Sequence, residues 1–66
     1  MERRLLNIRE ASGLLGLSKA TLYEWTAQRR IPFCRLGRAL RFDLTDLNKF
    51  IERAKVLPKE EGDEQL

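Results

Sequence analysis

The sequence predicts a small α+β fold that is mostly helical, with three short helices and a two-stranded hairpin between the second and third helices. Three observations support this: two helix-capping signals flank a glycine, a proline interrupts the helical pattern, and two short apolar runs precede a third capping signal. The chain has 66 residues, of which 42% are hydrophobic, so we expect one domain with one compact core.

Caps and a glycine define the first two helices. Asn7 is followed three residues later by Glu10, the spacing of a capping box, and Gly16 stands where a helix needs a left-handed residue to end. Ser18 then caps a second helix, which we expect to extend to about Arg29. The apolar side of the first helix is predicted to comprise Ile8, Ala11, Leu14 and Leu15.

The second helix has two different faces. Leu22 and Trp25 are three residues apart and are predicted to face the core. The opposite face is small or polar and comprises Ala20, Tyr23, Glu24 and Ala27. Because Gly16-Leu17-Ser18 joins the two short helices, they make a helix-turn-helix unit.

The hairpin follows Pro32, which cannot continue a helix and biases Ile31 toward an extended conformation. We expect strands near residues 33–36 and 40–42, with Leu36 opposite Leu40 and a three-residue loop, Gly37-Arg38-Ala39. A two-residue Gly37-Arg38 loop is the alternative, but it would mix arginine with apolar side chains on both faces. The preferred register places four apolar side chains on one face: Cys34, Leu36, Leu40 and Phe42.

The preferred register has an electrostatic cost. It places Arg35 directly opposite Arg41 on the exposed face, with Arg38 at the tip, and facing like charges destabilise a hairpin. A local rule broken in this way is typical of a functional surface, which predicts that the hairpin is the wing of a winged helix-turn-helix. The structural alternative is that these long, hydrated side chains simply splay apart.

The third helix is expected to begin after Asp43, its N-cap, with Asp46 in the capping-box position. Its apolar face is predicted to comprise Leu44, Leu47, Phe50 and Ile51. We expect Pro58 to stop the helix, and residues 58–66 to form a disordered acidic tail because they lack an anchor for packing. The folded domain is therefore expected to span residues 1–57.

Catalysis, metal binding and membrane insertion find no support in the sequence. It has no histidine and no glycine-rich phosphate loop, so we expect no enzyme, no metal site and no cofactor. Cys34 is expected to be a small buried hydrophobic residue rather than a reactive thiol. No apolar run approaches the roughly 20 residues that cross a bilayer, and the N-terminus does not match a secretory signal. We therefore expect a cytoplasmic protein.

Positive charge is concentrated in one part of the chain. Residues 1–53 carry a net charge of +5 and residues 54–66 a net charge of −2. Between residues 29 and 41 there are five arginines and no acid, namely Arg29, Arg30, Arg35, Arg38 and Arg41. Guanidinium groups match phosphate geometry, so this segment suits a polyanion, although a solvated basic surface is the alternative.

The second helix is the candidate recognition helix. Its N-terminus presents backbone N–H groups, and Lys19, Ala20 and Thr21 in its first turn are short or cationic, so the helix can enter a major groove. The Tyr23 hydroxyl can donate to a phosphate, unless the ring only covers the turn. Glu24 can accept from cytosine N4, or it can orient an arginine.

Several stretches together resemble the excisionase-like family of small DNA-binding domains, which are relatives of the MerR-type winged helix. The resemblance covers about residues 5–53. It rests on residues 6–11, 14–18 and 21–25, on Ile31-Pro32, on Arg35-Leu36-Gly37-Arg38, on Leu40-Arg41-Phe42 and on Asp46-Leu47. Two positions depart from the family pattern, since Ala39 and Glu24 replace residues that are commonly basic there.

The resemblance implies duplex DNA binding in a phage, plasmid or transposon, as a recombination directionality factor or a small transcriptional regulator. It implies a second helix in the major groove and a hairpin wing in the minor groove. Partners expected besides DNA are an integrase or other recombinase, RNA polymerase, and further copies of the chain bound cooperatively. The predicted DNA-binding residues are Arg9, Ser18, Lys19, Ala20, Thr21, Tyr23, Glu24, Arg29, Arg30, Arg35, Arg38 and Arg41.

Two other function classes stay open at the level of sequence. The chain could be a protein-interaction module whose basic face docks on an integrase or another acidic partner. RNA binding is less well supported, because Tyr23 is the single exposed aromatic expected in the basic region and offers little stacking surface.

Overall fold

The computed structural model describes residues 3–58, which form three helices and a small antiparallel sheet. The elements are β1 (Leu5–Leu6), α1 (Ile8–Leu15), α2 (Lys19–Ala27), β2 (Cys34–Leu36), β3 (Ala39–Asp43) and α3 (Leu44–Ala54). The strand order is β1-β3-β2, so β3 is central. The predicted winged helix-turn-helix is confirmed, and β1 is an additional strand that the sequence analysis did not predict. Among the described residues, no helix has the length and hydropathy to cross a membrane.

The caps of the helix-turn-helix unit are those predicted. Asn7 Oδ1 accepts from the Glu10 N–H at 2.8 Å, and Glu10 Oε1 accepts from the Asn7 N–H at 2.9 Å, which completes the capping box. Gly16 ends α1 in the left-handed region, at φ 68°. The side chain of Ser12 adds a contact that was not predicted, because its hydroxyl donates to the Leu17 carbonyl at 2.5 Å. Hydrogen bonds from Gly16 and Leu17 to Ser12 therefore hold the turn against the end of α1.

Helix α2 ends two residues earlier than expected, at Ala27. Arg29 follows in the left-handed region at φ 58°. Its N–H donates to the Thr26 carbonyl at 3.1 Å, and the Arg30 N–H donates to the Trp25 carbonyl at 2.8 Å. These two bonds make a Schellman motif, in which glycine usually takes the left-handed position. An arginine there costs about 1–2 kcal/mol relative to ordinary backbone, so this helix end is strained.

The predicted register of the hairpin is wrong. The observed pairs are Leu36 with Ala39, Arg35 with Leu40, and Cys34 with Arg41, so the loop is the two-residue Gly37-Arg38 alternative. Gly37 has φ 65° and is the first central residue, the pattern of a type II′ turn, whose twist matches that of paired strands. Arg35 therefore does not face Arg41, and the like-charge pair on one face does not form.

The mixed faces of the hairpin are tolerated for physical reasons. Phe42 is fully buried and Leu40 is half-buried, whereas Leu36 lies near the tip and is 54% exposed. The hydrophobic core therefore needs only the inner end of the hairpin. The long Arg35 side chain lies over the Phe33 ring, with its guanidinium carbon 5.9 Å from the ring centroid. The side chain therefore covers apolar surface while its guanidinium group stays in water.

All three helices and two of the three strands contribute a buried side chain to the core. Its buried side chains are Leu6, Ala11, Leu22, Ile31, Phe42 and Leu47. Leu14, which was predicted to belong to it, is 45% exposed, whereas the other predicted apolar residues of α1, Ile8, Ala11 and Leu15, belong to the core or pack against it. Trp25 is half-buried at the edge of the core and packs edge-on against the Phe50 ring, with 6.4 Å between the two ring centroids. Cys34 is half-buried on β2, so it is less enclosed than predicted.

Asp43 is the N-cap of helix α3, as predicted, but the reciprocal half of the capping box is not formed. Asp43 Oδ1 accepts from the Thr45 N–H at 2.9 Å, while Oδ2 lies 3.3 Å from the Arg3 guanidinium. The cap is therefore one-sided, and Asp46 does not close a capping box. The helix ends at Ala54, so Pro58 is not what stops it. Most of the predicted acidic tail, residues 59–66, lies outside the described residues.

Replacing Leu22 by alanine should lower the free energy of unfolding by about 2–5 kcal/mol, since this side chain is fully buried between α2 and the rest of the core. The matched control is Leu14→Ala, which removes the same atoms from an exposed site and should cost less than about 1 kcal/mol. Urea denaturation followed by circular dichroism measures both. Equal losses for the two variants would contradict the observed core.

Two glycine-to-alanine variants test the hairpin loop. Gly37→Ala should lower the free energy of unfolding by about 1 kcal/mol, because alanine is strained at φ 65°. Gly13→Ala lies within α1 with open space around the new methyl group, and it should raise stability by roughly 0.5–1 kcal/mol. Thermal and urea unfolding of both variants measures whether each substitution raises or lowers the free energy of unfolding. A stabilising Gly37→Ala would contradict the two-residue loop.

Candidate nucleic-acid interface

A shallow cleft of about 330 Å³ lies between α2 and the hairpin. Its lining includes Tyr23 of α2 and three arginines of the hairpin. The complete lining is Asn7, Ile8, Tyr23, Arg35, Arg38, Ala39, Leu40 and Arg41. The helix-turn-helix unit and the hairpin therefore both contribute side chains to the same cleft.

The N-terminus of α2 is built by its cap. Ser18 Oγ accepts from the Thr21 N–H at 3.1 Å and donates to Thr21 Oγ1 at 3.0 Å. The two hydroxyl groups therefore bond to each other, and the Ser18 hydroxyl also caps the first turn of α2. Lys19 and Ala20 are exposed, and their amides are at the first two helical positions, which have no intrahelical acceptor. This end of α2 can offer backbone donors and one ammonium group to an anion.

The outward face of α2 is exposed and carries mostly small or polar side chains, as predicted. Ala20, Tyr23, Glu24 and Ala27 are all exposed, and the Tyr23 ring is the only large side chain among them, at 53% exposure. Alanines one turn to either side leave room around the middle of the helix. A helix with such a face can approach a flat or concave partner closely.

No acid of the described residues pairs with an arginine of the hairpin. Within residues 3–58 the ion pairs join Arg3 to Asp43 and Lys55 to Glu52. Arg38 is exposed at the turn, Arg35 lies over Phe33, and Arg41 is half-buried and donates to the Leu40 carbonyl at 2.8 Å. Because Arg35 and Arg41 alternate along paired strands, they extend from opposite faces of the hairpin. The hairpin thus carries positive charge on both faces and at its tip.

Other predicted residues are placed outside this cleft. Arg9 and Arg29 are exposed on α1 and just after α2. Arg30 is stacked over the Trp25 ring, with its guanidinium carbon 4.9 Å from the ring centroid, and Nη1 donates to Gln28 Oε1 at 3.2 Å. The cleft lining thus brings together four of the predicted residues, namely Tyr23, Arg35, Arg38 and Arg41.

Two contributions to this surface were missed by the sequence analysis. Asn7 and Ile8 line the cleft because α1 begins beside the hairpin. Gln28 bonds to both Glu24 and Arg30, and the only available signal was its position four residues after Glu24 on the same helical face. Among residues 3–58, no group of three or more acidic or cysteine side chains is arranged to hold a metal ion.

Comparison with known proteins gives one family and one relative. Residues 5–55 match the family model described as a helix-turn-helix domain. The chain is 42% identical over 52 residues to the transcriptional repressor DcmR of Methylorubrum extorquens (strain DSM 6343 / CIP 106787 / DM4). That match covers 76% of this chain and 20% of the repressor, so the chain spans about a fifth of its relative. No solved structure matches the chain.

The matched segment contains all three helices and the hairpin, so the family model and the observed fold agree over the same residues. The helix-turn-helix is a unit that binds DNA, which makes DNA the partner that this match supports. The chain belongs to the helix-turn-helix domain family.

Proposed function

We propose that this chain binds duplex DNA sequence-specifically, with α2 in the major groove and the β2–β3 hairpin in the neighbouring minor groove. The observation that carries the proposal is the cleft lined by Tyr23 of α2 and by three arginines that pair with no acid among residues 3–58. Phosphate contacts supply most of the affinity of such complexes, and unpaired guanidinium groups are suited to make them.

The corrected register of the hairpin supports the minor-groove part of this proposal. The minor groove is about 6 Å wide and is bordered by phosphates on both sides. A hairpin with Arg35 on one face, Arg41 on the other and Arg38 at the tip can direct one cation toward each border and one into the groove. A narrow groove has enhanced negative potential, which attracts an inserted arginine.

The predicted residues then take different roles. The free amides of Lys19 and Ala20, together with the Lys19 ammonium group and the Thr21 hydroxyl, would hold a phosphate at the N-terminus of α2. The Ser18 cap would position this end of the helix, and the Tyr23 hydroxyl would donate to another phosphate. Ala20 allows the close approach that base contacts require. Arg9, Arg29 and Arg30 would lie at the margins of the interface, where they add to the positive potential.

Regulation of transcription is the role we propose for this binding, because the relative to which the chain is similar is named a transcriptional repressor. The resemblance to excisionase-like domains supports a second candidate, a recombination directionality factor of a mobile element. An excisionase would bind adjacent sites and bend the DNA, whereas a repressor would occupy one operator. Residues 1–57 would be the DNA-binding domain in either case, and contacts with an integrase or RNA polymerase would be additional.

A single module of this size contacts little DNA. One domain buries roughly 600–1,000 Å², so one copy should bind weakly and several copies should load cooperatively on repeated sites. Gel-shift titration of a duplex with one site or two selected sites measures this directly. Identical affinity per site on both duplexes would contradict cooperative loading.

Replacing Arg38 by alanine should weaken binding to all duplexes and reduce the slope of log affinity against log salt by about 1, because the groove loses one cation that neutralises phosphate charge. Fluorescence anisotropy at a series of salt concentrations measures both quantities. The matched control is Arg53→Ala, which removes the same charge from α3, beside Pro32 and Phe50 and away from the cleft. Its salt slope should equal that of the wild type.

The alternative of a protein-interaction module predicts a different result. The wild-type chain would then bind no duplex from a random pool even at low salt, while an acidic protein partner would still be retained. Equal effects of Arg38→Ala and Arg53→Ala on DNA binding would also argue against the proposed interface, since the loss would then reflect net charge alone.

A further inference from the structure

Glu24 is an electrostatic exception on the proposed DNA-binding face. It is the single acid between Glu10 and Asp43, a stretch that contains six cations. It lies on the exposed outer face of α2, with Ala20 one turn before it and Ala27 one turn after it. A carboxylate in this position repels phosphates and lowers general affinity for DNA. Its presence at the middle of the helix therefore points to a contact that is not with phosphate.

The Glu24 carboxylate bonds to a neighbouring amide side chain, and no cation within residues 3–58 pairs with it. Gln28 Nε2 donates to Glu24 Oε2 at 3.4 Å, and Arg30 Nη1 donates to Gln28 Oε1 at 3.2 Å. The Arg30 guanidinium is itself stacked on Trp25, which packs against the core. These contacts make a relay, Trp25–Arg30–Gln28–Glu24, that connects the outer face of α2 to the core.

We infer that Glu24 selects cytosine in the major groove and that Gln28 and Arg30 are positioning residues for it. The inference rests on the proposed function, since it assigns a base preference to the same surface. In this arrangement Arg30 acts chiefly through Gln28, and its charge offsets part of the cost of the exposed carboxylate.

The chemistry of the base edges favours cytosine. An ionised carboxylate only accepts hydrogen bonds, and cytosine presents its N4 amino group to the major groove as a donor. Thymine O4 and guanine O6 and N7 are acceptors and would repel it. Adenine has a donor at N6 but an acceptor beside it at N7, which suits an amide better than a carboxylate. With Oε2 engaged by Gln28, Oε1 remains available for the base.

The experiment is selection of bound duplexes from a random pool, followed by titration of the best sequence and its single-base variants. The wild-type chain should enrich cytosine at one position of the site, with a preference of roughly fivefold or more over thymine, the lower range for a specific base contact. Glu24→Ala should lose that preference while binding random duplex at least as tightly. Glu24→Gln, which can also donate, should shift the preference toward adenine.

Gln28→Ala and Arg30→Ala test the relay. Both should reduce the cytosine preference, and the matched control Asn48→Ala, an exposed amide on α3, should leave it unchanged. The salt slope separates positioning from phosphate contact for Arg30. A positioning role predicts a lost preference with nearly the wild-type slope, whereas a phosphate contact predicts uniform weakening with a slope reduced by about 1. Circular dichroism confirms that each variant is folded, and the exposed Gln28 side chain keeps the test available if Arg30→Ala unfolds.

The failures of the two proposals are distinguishable. Specific binding by the wild type with every base preference unchanged in Glu24→Ala would overturn the inference and leave the proposed function standing. Loss of preference in Glu24→Ala but not in Gln28→Ala or Arg30→Ala would overturn the relay. Failure of the wild type to bind any duplex would overturn the proposed function, and the inference with it.

Discussion

The attachment of strand β3 to the core is the constraint on which the rest of the structure depends. This strand pairs with both β1 and β2, and its Phe42 side chain is fully buried. Its last residue, Asp43, caps α3, so sheet and helix are joined without a loop. Because the same strand continues outward into the hairpin, the arginines of the hairpin are held on a rigid element rather than on a free loop. The position of the hairpin relative to α2 therefore follows from packing around Phe42.

The helix-turn-helix unit depends on hydrogen bonds more than on buried area. The Asn7–Glu10 box, the Ser12 contacts and the Ser18 cap set where α1 and α2 begin and how they turn. Leu22 then joins α2 to the same core that contains Phe42. In so small a chain little apolar surface can be buried, so each satisfied helix end is a substantial part of stability.

Several features of α2, its C-terminal end and the hairpin are unfavourable in the free protein. Arg29 occupies a left-handed position, three arginines of the hairpin have no acidic partner among residues 3–58, and Glu24 is an exposed acid among cations. Elsewhere the local choices agree with the fold, as the caps of all three helices show. Departures of this kind are typical of residues selected for binding rather than for stability.

The sequence by itself determined the features that involve neighbours a few residues apart. The caps of Asn7 and Ser18, the left-handed Gly16 and the exposed face of α2 depend on local backbone bonds and helical spacing, so their residues could be read directly. Tertiary structure decided the hairpin register, the exposure of Leu14 and the strand β1. It also decided that Tyr23 lines the same cleft as Arg35, Arg38 and Arg41. The register prediction failed because it sought an apolar face along the whole hairpin, whereas the core reaches only its inner end. Contacts between distant segments depend on how a small core closes, and no local spacing records that.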